Sequence, residues 1–185
     1  MILRITKYGE AILTKKGKKI TEFDDKLIEL SNDMLDTMYE KDGIGLAAQQ
    51  VGKALQLCVI DLYYGTEDVD FNYSVDGKRS PLELIMPMEL CNPEIELLTG
   101  DQSTTEEGCL SFPEIRGDVK RPDTIRVTYQ DIYGDTHTLD CNGLFSRCVQ
   151  HEYDHLHGTL FIDRMSKKQL KELSPKLKSL KKESK

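Results

Sequence analysis

The sequence predicts a single α+β domain, with antiparallel or mixed β-sheets packed around a central metal-binding helix and a helical tail at the C-terminus. Three observations carry that prediction. Apolar residues recur at helical spacing from residue 27 to 38, two strand-like runs meet across a turn at residues 132–135, and residues 143–158 form an uninterrupted helical stretch.

The first helix is read from Leu27, Ile28, Leu30, Met34, Leu35 and Met38, with Thr21 or Asp24 available as a cap and Gly43 as a stop. LQLCVIDL (55–62) and DTIRVTYQD (123–131) are rich in strand-favouring residues, and the second joins THTLD across Ile132-Tyr133-Gly134-Asp135. In GLFSRCVQHEYDHLHG (143–158), Leu144, Cys148, His151 and His155 fall on one helical face, so this helix belongs in the core. The polar, tyrosine-containing stretch over 63–81 is too long for a routine connector and reads as a surface loop, either a lid or a passive insertion. From 167 to 185, eight lysines accompany Glu172 and Glu183 on a helical pattern expected to break at Pro175, a solvated basic tail.

Composition narrows the class. With 38% apolar and 31% charged residues the chain is globular, and residues 1–185 are expected to form one domain. No run approaches the roughly 18 apolar residues of a membrane span, and MILRITKYGE lacks the apolar stretch of a secretory signal, so a cytoplasmic protein is expected. Five widely spaced cysteines suit reduced thiols, and a net charge of −7 disfavours DNA as a partner.

His151-Glu152-Tyr153-Asp154-His155 fits H-E-x-x-H: i, i+4 spacing aims two imidazoles at one metal, and Glu152 is left to act as general acid and base on water held there. A catalytic site of this kind needs a third ligand. A histidine at the end of H-E-x-x-H-x-x-G-x-x-H is excluded, because that position is Phe161. Two candidates remain: Glu172 in the tail, as in zinc endopeptidases, and the glycine-flanked Cys109, preferred here. A thiolate would be compatible with one Fe2+, Zn2+, Ni2+ or Co2+ ion. A metal-binding module without catalysis is a third reading. GIGLAAQQVG (43–52) superficially matches a dinucleotide fingerprint, but a helical period precedes it where a strand is required.

Together, GIGLAAQQVG, EGCLS and QHEYDHLHG resemble, in this order, the three signature motifs of the peptide deformylase family. The resemblance implies removal of the N-formyl group from the initiator methionine of nascent chains, with Fe2+ as the usual physiological metal. By position it makes Cys109, His151 and His155 the ligands and Glu152 the acid/base, with the Gln50 side chain and the Leu110 N–H donating to the oxyanion. Gly45 and Gly108 would bind the peptide backbone. Ile44, Leu144 and Cys148 would line the methionine pocket unless they are plain core, and Arg116 would pair with Asp42. The resemblance also puts formyl-methionyl nascent chains among the partners, and the tail is a candidate contact with ribosomal RNA.

Overall fold

The computed structural model describes residues 1–63 and 69–184; part of the expected 63–81 loop, residues 64–68, lies outside the described residues. Helix α1 (Asp25–Glu40) is followed by strands β1 (Gly45–Ala47), β2 (Leu57–Ile60) and β3 (Tyr73–Val75). Then come β4 (Met88–Leu97), β5 (Gln102–Gly108), β6 (Arg116–Pro122), β7 (Ile125–Gln130), β8 (Thr136–Cys141), α2 (Gly143–Leu156) and α3 (Lys167–Glu183). Six strands form an antiparallel sheet in the order β1-β2-β4-β7-β8-β3, while β5 and β6 pair in a separate hairpin.

The large sheet is covered on both faces, which is why β2 reads as unbroken Leu-Cys-Val-Ile. Side chains alternate across a strand, so Leu57 and Val59 join Leu27, Met34 and Met38 of α1, while Cys58 and Ile60 join Phe145, Val149 and Leu156 of α2. Burying each large aliphatic side chain contributes about 1.5–3 kcal/mol. Of the two cap candidates, Thr21 and Asp24, it is Asp24 that starts α1, its carboxylate accepting the Leu27 N–H at 3.0 Å; losing that cap would cost about 1 kcal/mol. Gly43 accompanies the stop, its N–H reaching the Met38 carbonyl at 2.9 Å.

Two expectations need correction. Tyr73–Val75, inside the supposed loop, is a strand that pairs with β8 in the register Tyr73↔Cys141, and Phe71 beside it is buried in the α2 core. The missing signal was length: three residues are too few to show a period. Helix α3 runs through Pro175 rather than breaking there. The bond that proline removes would have gone to the carbonyl of Lys171, and both residues are exposed, where water can replace it. Leu177 and Leu180 hold the helix against Phe112, Ile115 and Phe161.

The β3 segment is fastened by an acid–histidine cluster. Asp76 accepts the Thr138 N–H at 2.8 Å and His137 Nδ1 at 2.7 Å, and His137 Nε2 lies 3.3 Å from Asp131. Both ring nitrogens donate only in the imidazolium. The hydrogen bond to Asp76 raises the His137 pKa despite partial burial, and those of Asp76 and Asp131 are lowered. A raised folded pKa means that the histidine's contribution is complete below its unfolded value of about 6.5 and is lost as pH rises through the folded value. The two lowered carboxylates keep theirs until far more acidic pH. Urea unfolding should show wild type exceeding His137→Gln by more at about pH 6 than at about pH 9; an equal difference at both would contradict this.

Candidate metal centre

Three unrelated segments meet beside α2. The helix supplies His151, Glu152 and His155; the end of β5 leads into Cys109; and the turn Ala48–Val51 after β1 supplies Gln50. The ligand atoms of Cys109, His151 and His155 all lie within 4.8 Å of one another. Cys109 Sγ is 3.3 Å from His155 Nε2 and 3.4 Å from Gln50 Nε2. The Gln50 amide is oriented by its other end, because Oε1 accepts the Ala47 N–H at 2.8 Å and Nε2 is thereby turned towards Cys109. Four cysteines, Cys58, Cys91, Cys141 and Cys148, are buried, and Cys109 alone among the five is partly exposed.

The comparisons with known proteins agree with one another. A family model described as polypeptide deformylase matches residues 2–171. The chain belongs to the polypeptide deformylase family. A peptide deformylase of Opitutus terrae is 54% identical over 184 residues, covering 97% of this chain and 93% of that one. A solved Plasmodium falciparum peptide deformylase superposes with TM-score 0.83 at 37% identity, covering 97% of this chain and 95% of the other. For a Thermotoga maritima peptide deformylase the TM-score is 0.75 at 36% identity, covering 90% and 99%.

The deformylase centre rests on a buried charge network. Glu107, directly before Gly108 and Cys109, accepts two bonds from Arg121 at 2.6 and 2.9 Å, one from Arg147 at 2.8 Å and one from His151 Nδ1 at 2.9 Å. Arg121 also reaches Asp154 at 2.8 Å, and Asp154 binds Arg164. Burial alone would raise the Glu107 pKa, but the hydrogen bonds from His151 and Arg121 and the Arg121 charge outweigh it and hold the carboxyl well below the usual range. With its Nδ1–H committed to Glu107, His151 has the Nε2 lone pair left for a cation. His155 is buried with Nδ1 unpartnered among the described residues, and burial lowers its pKa, keeping the ring neutral as a ligand must be. This donor set, one thiol and two imidazoles, fits a divalent metal ion of the kind on which the family depends.

Glu152 is 4% exposed and its Oε2 has no hydrogen-bond partner among the described residues. Burial pushes its pKa up to about 7. The carboxylate is pressed against β1: a Cβ added to Gly45 would stand 2.5 Å from Glu152 Oε1 and 3.1 Å from Cys148 Sγ, so any larger residue would displace the Glu152 carboxylate. Ile44, Gly45, Gly108, Leu144, Cys148 and Arg116 all line one cleft of about 1020 Å³, together with Gln50, Leu110 and Glu152.

Three features differ from the sequence reading or were absent from it. Arg116 does not pair with Asp42; its guanidinium lies 3.8 Å from Glu106. The hairpin explains this, because Gly108 opposes Arg116 and Glu106 is the diagonal neighbour two residues back. Glu172 is exposed on α3 and outside the ligand cluster, which disfavours the endopeptidase. The network of Glu107, Arg121, Arg147 and Asp154 escaped the sequence reading, although Arg147, His151 and Asp154 recur at i, i+4 and i+7 on a helix that must be buried.

Proposed function

We propose that this chain removes the N-formyl group from the initiator methionine of nascent polypeptides, with Cys109, His151 and His155 holding one divalent cation and Glu152 moving the proton. The family assignment gives the activity; the convergence of three ligand atoms within 4.8 Å, with Glu152 beside the first histidine, is the observation that carries the mechanism. A divalent cation in that position supplies Lewis acidity and water of lowered pKa. Glu152 Oε2, which has no competing partner among the described residues, accepts a proton from the water nucleophile and passes it to the leaving amine nitrogen, giving formate and a free amino terminus. Gln50 Nε2 and the Leu110 N–H donate to the oxygen on which negative charge develops. Gly45 and Gly108 let the substrate backbone approach, Arg116 stands at the cleft rim, and Ile44, Leu144 and Cys148 receive the methionine side chain.

Ferrous iron is the proposed physiological metal, since a thiolate with two imidazoles suits it; zinc, nickel and cobalt are compatible with the same donors. The place of action is the cytoplasm, among translating ribosomes, and among the described residues no helix is long and apolar enough to cross a membrane. The exposed lysines of α3, anchored through Leu177 and Leu180, support docking of the tail on ribosomal RNA. Ribosome pelleting should weaken with added salt and in a Lys168→Glu/Lys171→Glu/Lys178→Glu variant, and binding indifferent to both would count against docking.

The function is tested by incubating anaerobically purified protein with formyl-Met-Ala-Ser and measuring formate. Release of formate with the peptide otherwise intact is the expected result. Cleavage of an internal peptide bond instead would move the assignment to an endopeptidase.

A further inference from the structure

The turn that carries Cys109 and Leu110 is held from outside by the N-terminal segment. Its closing bond runs from the Phe112 N–H to the Cys109 carbonyl at 2.8 Å, so the carbonyl of Leu110 belongs to the central peptide, which the turn itself leaves without a donor. Lys7 fills that place: its ammonium donates to Leu110 O at 2.8 Å. The residues on either side of Lys7 act on the same two segments. Thr6 donates its N–H to Gln50 O at 2.8 Å and its hydroxyl to Gln49 O at 3.0 Å, while the Tyr8 N–H reaches Ser111 O at 3.0 Å. Tyr8 also stacks on Phe112 at 4.8 Å. Three consecutive residues thus fasten the Gln50 turn to the Cys109 turn, although β1 belongs to the large sheet and β5 to the separate hairpin.

Two of these bonds are backbone bonds that almost any residue would supply; the contact to Leu110 O is made by a side chain and depends on lysine. Lys7 is half-buried and lines the cleft, its own N–H donates to Glu10 at 2.7 Å, and among the described residues no carboxylate lies within ion-pair distance of its ammonium. A turn of this kind has two orientations of its central peptide, related by a flip. Holding Leu110 O selects one, and so fixes the course of the turn that carries the Leu110 N–H on its preceding peptide.

We infer that Lys7 is a positioning residue for the oxyanion wall, holding the Cys109–Phe112 turn at its Leu110 carbonyl so that the Leu110 N–H, on the adjoining peptide, and Gln50 Nε2 converge on one oxygen. The inference rests on the deformylase reading and adds a residue outside the three-atom ligand group. Because the donors matter only once charge develops, the loss should fall on kcat and spare KM.

The test compares wild type with Lys7→Met, which keeps the aliphatic stem, and Lys7→Arg, which keeps the cation. On formyl-Met-Ala-Ser, Lys7→Met should lose roughly ten- to a hundredfold in kcat with KM within about twofold, and Lys7→Arg should recover most of the loss. Metal content per chain and the thermal unfolding midpoint are measured on all three, and metal content should be equal. An unchanged kcat, a loss that follows metal content, a loss confined to KM, or an arginine variant as slow as the methionine variant would each overturn the inference. These outcomes stay separate from failure of the function itself, which would show as wild type releasing no formate.

Discussion

Glu107→Ala is expected to lose about 3–5 kcal/mol of stability, because a buried carboxylate is removed while two guanidiniums stay behind. Arg121 is 2% exposed and binds Glu107 twice; Asp154 remains as its partner but cannot replace both bonds. Among the described residues, Arg147 keeps only its contacts to Val119 O and Ser103. The same change frees His151 Nδ1, so the ring loses both its orientation and its tautomer preference, and metal affinity should fall by roughly 10–100-fold. Glu107→Gln separates the two effects: it can still accept from His151 but no longer neutralises the arginines, so stability should fall with a smaller loss of metal. Denaturant unfolding and metal titration on the three proteins check this. A Glu107→Ala protein as stable and as metal-avid as wild type would show that the network does not support the centre.

Glu152→Gln is expected to retain metal and fold and to lose turnover by roughly 10²–10⁴-fold, the range for removing a positioned acid/base. The amide is nearly isosteric, so the contact with Gly45 is preserved, and the side chain is outside the three-atom ligand group. Stability should hold or rise slightly, since burial already disfavours the charged carboxylate. Formate release and metal analysis on the same preparation distinguish a lost proton carrier from a lost metal. A fully active Glu152→Gln would remove the residue from the mechanism.

How much of this was legible depended on whether the signal was local. The α2 helix and its three proposed site residues could be read directly, because H-E-x-x-H and the helical period lie in the same short stretch. Helix α1, with its Asp24 cap, and the β7–β8 hairpin were legible for the same reason. Cys109 could only be a candidate beside Glu172, since its placement depends on the β5–β6 hairpin. Those strands, Gln-Ser-Thr-Thr-Glu-Glu-Gly and Arg-Gly-Asp-Val-Lys-Arg-Pro, are polar and show little of the alternation by which strands are recognised. Two of their charges are not surface charges, however: Glu107 and Arg121 turn inward to support α2, while Glu106, Arg116, Asp118 and Lys120 stay exposed. Sequence patterning treats a charge as solvated unless a partner is known, and here the partners come from different elements. Lys7 was hidden for the same reason, one cation among many until the fold places Leu110 O against it.

The central claim, a catalytic cation held by one thiolate and two imidazoles, is tested most directly by titrating metal-free protein with Co2+ under anaerobic conditions and recording the absorption spectrum. Wild type should bind one equivalent with a thiolate-to-metal charge-transfer band; Cys109→Ala should lose the band and most of the affinity, and Glu172→Ala should keep both. A band that persists in Cys109→Ala, or affinity lost in Glu172→Ala instead, would contradict the account.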